Sequence, residues 1–436
     1  MRLLRTTALS IALAAVSAGM MMPSAAVAQK KNDKKADDGK MKLSPSKEFT
    51  PGAQALQEML AKSDFEGAKA KLAEIEPTAT KPDDKYFLGN FYLNTGIGLK
   101  DESLQRKGVE TMLASGMTPA ADVPKFHYFA GQFALNAKDH AAARQHLQQA
   151  AQAGYEGANP EIYLAESYFG EAYNNVNGNQ FNPAGKALVQ QGLPHLKKAI
   201  ELRQSAGEAV DASWYTRGLK MSVLADDPSQ IEWSKLALAH AGTPDNWRVV
   251  LRSLQDANDN MTRDETLDLM RLMDSSKSLQ NAYSYSEYAE SAWKAGLPGE
   301  VKAVIETGRA RGEIDNNSLS DLYRLATESA AKDKATLASS ATSAASAATG
   351  KPASSTASAY MGFGDYAKAA ELYRLALQKG GVDADEVNTR LGIALARSGD
   401  KAGAVEAFGK VGNGGTNGVR RKIADLWTVW VNNPTA

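Results

Sequence analysis

The sequence predicts an all-α protein, an α-solenoid of about ten antiparallel helix pairs followed by a C-terminal capping helix. Three observations predict it: four copies of an Asp-capped turn, helical spacing of apolar residues after each copy, and the near absence of alternating strand patterns. Residues that favour helix, chiefly Ala, Leu, Lys, Glu and Gln, dominate the 436-residue chain. Because each pair in a solenoid packs only on its neighbours, such a stack reaches this length without one large core.

The four turns share one local pattern. They cover residues 63–68, 138–143, 364–369 and 399–404. The second residue of each is an Asp, which suits a helix N-cap because its carboxylate accepts the orphan N–H groups of the first turn. A small Ala ends each turn, and apolar residues follow it at intervals of four and three, which is one face of a helix. These stripes are Ala68, Leu72 and Ile75; Ala143, Leu147 and Ala150; Ala369, Tyr373 and Ala376; Ala404, Phe408 and Val411.

Three helical stretches place a Gly beside larger apolar residues, and two of them directly precede the turns at 138–143 and 399–404. The residues are Leu88, Gly89 and Tyr92; Ala130, Gly131 and Ala134; Leu391, Gly392 and Leu395. Together with the turns, this pattern resembles the tetratricopeptide repeat, a helix–turn–helix unit of about 34 residues with L-G-x-x-Y and A-x-x-x-F elements. The resemblance covers most of residues 54–415 and is clearest at 124–153 and 350–411. It implies a right-handed superhelix whose concave face binds a protein or a peptide.

The N-terminus has the features of a bacterial secretory signal peptide, residues 1–28. Arg2 and Arg5 give a basic start, an apolar run follows, and Ala26-Val27-Ala28 supplies small residues for cleavage. We expect N-terminal sequencing of the mature protein to begin at Gln29, in the periplasm; the alternative is an uncleaved anchor or interfacial helix. With no cysteine in the chain, neither a lipoprotein nor a disulfide is expected. No other apolar run approaches the length of a membrane span, so no transmembrane segment is expected in the mature chain.

Two terminal segments depart from the repeat. Residues 29–53 carry interleaved Lys and Asp with few apolar groups, which predicts a charged disordered linker; the alternative is a basic arm that touches anionic lipid or cell-wall polymer. Residues 416–436 predict a capping helix and tail, with Val419, Ile423 and Trp427 on the inner side and Arg420 to Lys422 on the outer side. The alternative for this helix is a Trp-rich contact with a partner or a membrane interface.

Two internal segments also interrupt the pattern. The Asn-rich stretch 174–182 predicts an elongated turn, followed by a helix with Asn182 as cap and Pro183 in the first turn; the alternative is a loop that presents amides to a glycan or peptide. The Ala/Ser/Thr-rich stretch 338–359 fits either a disordered linker or thin helices. Its helical spacing favours thin helices, with a bend in the solenoid at this point.

Composition and motifs argue against several function classes. The 50 basic and 50 acidic residues balance, and cleavage after Ala28 would leave 48 and 50, so no charge excess favours nucleic acid. The five histidines are scattered over several repeats with no HExxH or other paired-His pattern, and neither a G-x-S-x-G elbow nor a phosphate-binding loop is present. We therefore expect no enzymatic activity, no cofactor and no metal. The oligomeric state is left open.

A solenoid lines its concave face mainly with the first helices of its pairs. Residues on those helices that avoid the core stripe are the candidate partner-binding set: Tyr86, Asn90, Asn94, Lys125, Tyr128, Gln132, Asn136, Arg248, Arg252, Tyr283, Glu287 and Glu290. Amides and tyrosines suit a peptide backbone, and Arg suits carboxylates. Relatives that grip a C-terminal carboxylate use Lys at the place where Tyr86 stands, which disfavours that mode. The expected function is an exported scaffold for protein or peptide partners in the cell envelope. The alternative is an accessory or regulatory subunit of a cell-wall or polysaccharide system that contacts glycan directly.

Overall fold

The structure is a computed structural model that describes residues 43–178, 180–413 and 418–433. The predicted signal peptide and residues 29–42 lie outside this described part. Within it the protein is all-α: twenty α-helices pack against their neighbours, and the only sheet there is a two-stranded hairpin. The chain divides into two compact units, one ending at Val210 and the other beginning at Asp211.

The first unit contains four helix pairs. Its helices are α1 Thr50–Ala61, α2 Phe65–Ile75, α3 Pro82–Leu99, α4 Glu102–Ala114, α5 Val123–Asn136, α6 His140–Gln152, α7 Asn159–Ala172 and α8 Pro183–Ser205. Short 3₁₀ turns lie at Glu76–Thr78 and Tyr173–Asn175. The Asn-rich stretch folds as the antiparallel hairpin β1 Val176–Asn177 and β2 Gln180–Phe181, with Val176 opposite Phe181. Asn182 then caps α8 through a hydrogen bond from Gly185 N, with Pro183 as its first residue, as predicted.

The second unit contains five helix pairs, one long unpaired helix and the C-terminal helix. Its helices are α9 Ala212–Ala225, α10 Gln230–His240, α11 Pro244–Asp256, α12 Arg263–Ser275, α13 Asn281–Lys294, α14 Pro298–Ala310, α15 Ser320–Ser346, α16 Lys351–Gly362, α17 Tyr366–Lys379, α18 Ala384–Ser398, α19 Lys401–Gly409 and α20 Val419–Asn432. The Ala/Ser/Thr-rich stretch is therefore helical on both sides of a short turn, which confirms thin helices. The described chain thus has nine pairs, one fewer than expected, because α15 runs for 27 residues without a partner of its own.

All four predicted Asp caps are present. Each carboxylate accepts a hydrogen bond from the N–H three residues later, at Gly67, Ala142, Lys368 and Gly403. The four apolar stripes that follow are buried, as the spacing predicts.

The glycines of the first helices are explained by close helix approach. A Cβ at Gly131 would lie 2.5 Å from the Leu147 side chain, and one at Gly392 would lie 2.4 Å from the Phe408 ring. Both distances are below any real contact, so only glycine lets the large residue of the second helix pack against the backbone of the first. This packing accounts for the Gly in the sequence pattern.

The predicted linker boundary at residue 53 is wrong. Helix α1 begins at Thr50, and Phe49 is fully buried in the core of the first unit. Before it, the buried Ser46 donates its backbone N–H to Asp84 at 2.7 Å. One aromatic side chain and one buried hydrogen bond thus hold a segment whose composition resembled a solvated spacer.

The C-terminal helix α20 packs on α19, as expected of a cap, and it also contacts α10, α12 and α18. Val419, Ile423 and Trp427 are buried, as predicted, but the expectation that Arg420 faces outward is wrong because it is buried too. In the described part of the chain, no helix is both long enough and apolar enough to cross a membrane.

Candidate functional site

The first unit contains a cleft of about 460 Å³ bordered by α1, the start of α2 and the second half of α3. Its wall combines three phenylalanines with aliphatic side chains and three amides. The lining residues are Gln57, Leu60, Ala61, Phe65, Phe87, Asn90, Phe91, Asn94, Ile97 and Gly98. The lining is thus mixed in polarity, and a concave site that combines apolar surface with placed polar groups can hold a small ligand or an anchoring side chain.

Local sequence explains the shape of the cleft. Phe65 is the first residue after the cap Asp64, which places its ring at the end of the turn between α1 and α2. A Cβ at Gly98 would lie 2.3 Å from that ring, so the glycine allows Phe65 to lie against the backbone of α3. The repeat pattern therefore positions one aromatic wall of the cleft.

Asn90 supplies the unusual polar group of this wall. Asn94, one turn later, donates its Nδ2 to the Asn90 side-chain oxygen at 2.9 Å and to the Asn90 backbone carbonyl at 2.8 Å. The Nδ2 of Asn90 is buried and has no hydrogen-bond partner among the described residues. A buried unpaired donor costs about 1–3 kcal/mol, which an acceptor on a ligand would remove once the Asn90 side chain turned this atom toward the cleft.

The other residues predicted for the groove in the first unit have different environments. Tyr86 is 1% exposed and belongs to the hydrophobic core, so its expected place on an open surface is wrong. Tyr128 and Gln132 are also buried, and the ring of Tyr128 lies edge-on to that of Tyr163, with the centroids 5.9 Å apart. Burial raises the pKa of Tyr128 and of Tyr163, which keeps both phenols neutral.

Two polar residues of this predicted set remain at the surface of the first unit. Lys125 is half-buried, and the exposed Asn136 donates to Glu102 at 3.1 Å. The cleft therefore brings together only Asn90 and Asn94 from the predicted set.

In the second unit each charged member of the predicted set on α11 and α13 has an ion-pair partner. Arg252 donates to Glu287 at 3.0 Å and to Ser284 at 2.8 Å, and its guanidinium lies 5.9 Å from the ring of Tyr283. Arg248 pairs with Asp245, and Glu290 pairs with Lys294. Tyr283 is 71% exposed and is the most accessible aromatic side chain of this surface. Whether any of them binds a partner stays a prediction.

A buried ionic network in the second unit was not predicted from the sequence. Arg271 on α12 binds both oxygens of Glu300, at 2.8 and 2.7 Å, and donates to Asp268 at 2.8 Å. Asp268 also accepts from Arg420 of the C-terminal helix at 2.9 Å and from Arg390 of α18 at 3.4 Å. The groups are buried and mutually bonded, which supports a structural role for the network, and Glu300 also lines a cleft of about 330 Å³ bordered by α13, α14 and α16.

Neighbouring arginines determine the protonation state of the two carboxylates in this network. Burial alone would raise the pKa of Asp268, but Arg390, Arg271 and Arg420 outweigh it and hold the pKa below its ordinary value. The same balance lowers the pKa of Glu300, for which Arg271 supplies the positive charge and Tyr288 a hydrogen bond. Both carboxylates are therefore ionised at neutral pH.

Seven consecutive residues of α12, 267–273, are buried, so this helix has no solvent-facing side at its centre. In its sequence, Asp268 and Arg271 lie inside an apolar run. This pattern could have indicated a buried ion pair. A helix buried on all sides that carries charge requires partners from elsewhere in the fold. The partners themselves lie too far along the chain to be read from local spacing.

Comparison with known proteins adds no assignment. No protein-family model matches the sequence, and no curated protein is significantly similar to it.

Proposed function

We propose that this protein is an exported, tetratricopeptide-like scaffold of the bacterial periplasm that binds a peptide segment of a partner protein in the cleft of its first unit. The observation that carries the proposal is the unpaired Nδ2 of Asn90 within a wall of phenylalanine rings. The rings suit an apolar side chain, and the amide suits a carbonyl next to it, and every peptide residue carries such a carbonyl. Export rests on the signal-peptide pattern at residues 1–28.

The size of the cleft supports a segment and not a whole protein surface. A volume of about 460 Å³ lies within the range of ordinary ligand pockets and accommodates a few side chains. The amides of Gln57 and Asn94 lie in the same wall and offer further hydrogen bonds along an extended chain. We therefore expect an uncharged, apolar anchor flanked by backbone contacts.

The test begins with a pull-down from envelope extract, followed by calorimetric titration of peptides from the recovered partner. Asn90→Leu removes the amide donor and keeps a similar volume, so the ligand carbonyl would be buried without a partner. We expect the Kd of the peptide to rise at least about tenfold, which corresponds to about 1.4 kcal/mol. Far-UV circular dichroism should show unchanged helicity.

Gln148→Leu on α6 is the matched control, because it also replaces an amide by Leu but at an exposed site on a second helix. It should leave the Kd unchanged. Equal affinity of the Asn90→Leu variant and the wild type would place the peptide elsewhere. Retention on purified cell wall with no recovered protein would instead favour direct glycan binding and contradict the peptide proposal.

A further inference from the structure

Two histidines that are 19 positions apart in sequence face each other in the first unit. His127 lies on α5 and His146 on α6, and their Nδ1 atoms are 3.0 Å apart. Both residues are partly exposed, His146 with 15% of its side-chain surface. The packing of two successive helices thus forms a histidine pair that no local sequence motif indicates.

A carboxylate lies near one of the rings. The Nε2 of His146 lies 3.8 Å from Glu110 on α4, and Glu110 in turn pairs with Arg106 at 2.7 Å. Between the two rings, one Nδ1 carries a proton and donates it to the lone pair of the other.

We propose that His127 and His146 bind one divalent transition-metal ion, of the Zn²⁺ or Ni²⁺ class, through their Nδ1 atoms. Imidazole nitrogen is the side-chain donor that suits these ions, whereas Ca²⁺ and Mg²⁺ prefer oxygen. Two nitrogens about 2.1 Å from one ion, at coordination angles of about 90–110°, lie about 3.0–3.4 Å apart. The observed separation of 3.0 Å lies at the lower end of this range, and the two rings must turn so that both lone pairs converge on the ion.

Binding replaces the shared proton by the metal ion. The proton between the rings moves from Nδ1 to Nε2 of the histidine that carries it, so both rings stay neutral and no net proton is released. Glu110, 3.8 Å from the Nε2 of His146, lies where an outer carboxylate commonly orients a metal-bound histidine. The described residues contain no group of three or more potential side-chain ligands, so water completes the coordination. The site shares no residue with the cleft and does not depend on the proposed function.

The test uses the full mature protein, purified without a polyhistidine tag and titrated calorimetrically with ZnCl₂ near neutral pH. We expect saturable binding of one Zn²⁺ per chain, a higher unfolding temperature with Zn²⁺, and no binding of Ca²⁺. His127→Gln and His146→Gln should each weaken Zn²⁺ binding at least about tenfold, which corresponds to about 1.4 kcal/mol. Gln keeps a hydrogen-bonding amide in the same place.

His195→Gln is the matched control, because His195 also faces a carboxylate, Glu161 at 2.6 Å, and it should bind Zn²⁺ like the wild type. Should a histidine variant fail to fold, imidazole ¹⁵N NMR of the wild type decides, since Zn²⁺ should shift the Nδ1 signals of only two of the five histidines. Absence of saturable Zn²⁺ binding, or full binding by both single variants, would overturn the proposal.

Discussion

Single residues in this chain are constrained mainly by how closely paired helices approach. Gly131 has no side chain because Leu147 of the next helix occupies the space where a Cβ would be. Leu147 is fully buried as a result, between α5 and α6. The spacing of small and large residues in the sequence thus reflects the close approach of two paired helices.

The residue-scale prediction concerns this contact. Leu147→Ala should lower the free energy of unfolding by about 2–5 kcal/mol, through lost apolar burial and the cavity left behind. Urea unfolding followed by circular dichroism measures it. Gln148→Ala, at the neighbouring exposed position, should change the free energy by less than about 0.5 kcal/mol. A similarly small loss at Leu147 would contradict the repeat register.

At the scale of elements, helix boundaries follow from capping. The four Asp caps bond the third residue of their helices, and those helices begin where the sequence pattern places them. A buried aromatic side chain can also hold the residues before a helix in place. Phe49, directly ahead of α1, is an example. Local hydrogen bonds and local burial together determine where each helix starts.

Asp400 tests the capping contribution, because its carboxylate accepts from Gly403 N at 2.9 Å at the exposed start of α19. Asp400→Ala should lower the free energy of unfolding by about 0.5–2 kcal/mol, since it leaves the N–H without its acceptor. Asp400→Asn keeps a side-chain oxygen at the cap and should lie close to the wild type. Chemical denaturation of the three proteins under identical conditions gives the comparison, and an Asn variant as unstable as the Ala variant would argue against the capping role.

At the scale of the whole molecule, each compact unit has its own core, and the second is held together by contacts over long sequence distances. Arg420 and Asp268 are 152 positions apart, yet their side chains are 2.9 Å apart in the interior. The C-terminal helix therefore packs on α12 as well as on the last pair. Removing one partner of such a buried pair leaves an uncompensated charge, which is more costly than losing a surface pair.

The network predicts acid sensitivity of the second unit. The folded pKa values of Asp268 and Glu300 are lowered, so their contribution to stability is complete above the unfolded values near 4 and is lost as pH falls through the folded values. Glu386, whose pKa is raised by burial, acts in the opposite direction. Because two lowered groups oppose one raised group, the net stability should fall on acidification.

Asp268→Asn provides the test of this network. At pH 7 it should cost about 3–5 kcal/mol, and the difference from the wild type should shrink at pH 3, because there the unfolded state of the wild type takes up a proton at Asp268 that the arginines disfavour in the folded state. Guanidinium unfolding at both values of pH measures the difference. Lys410→Ala, which removes an exposed ion pair with Glu406, should cost at most about 1 kcal/mol at either pH. A pH-independent loss in the Asp268→Asn variant would contradict the electrostatic explanation.

The sequence by itself determined the all-α class, the Asp-capped turns, the buried stripes and the glycines at close helix contacts. These features depend on interactions within a helix or between successive helices. Within a helix they appear as apolar residues three or four positions apart, and between helices as a repeat of about thirty residues. It assigned Asn90, Asn94 and Tyr86 to one open surface of α3, whereas Asn90 and Asn94 line a cleft and Tyr86 is buried in the core. Exposure of a side chain on a first helix depends on neighbours that periodicity does not name.

Only the tertiary structure decided the cleft beside Asn90, the pairing of His127 with His146, and the ionic contacts of Asp268. Each joins side chains that are far apart in sequence. Their distance in space depends on loop lengths and on the angles between helices, which local sequence patterns do not determine. Arg420 shows most clearly where local sequence patterns fail. Because it stands beside Arg421 and Lys422, the sequence predicts that it belongs to a polar outer face. It is buried because a carboxylate from a helix far earlier in the chain lies where α20 packs, and a buried charge is stable only where such a partner is present.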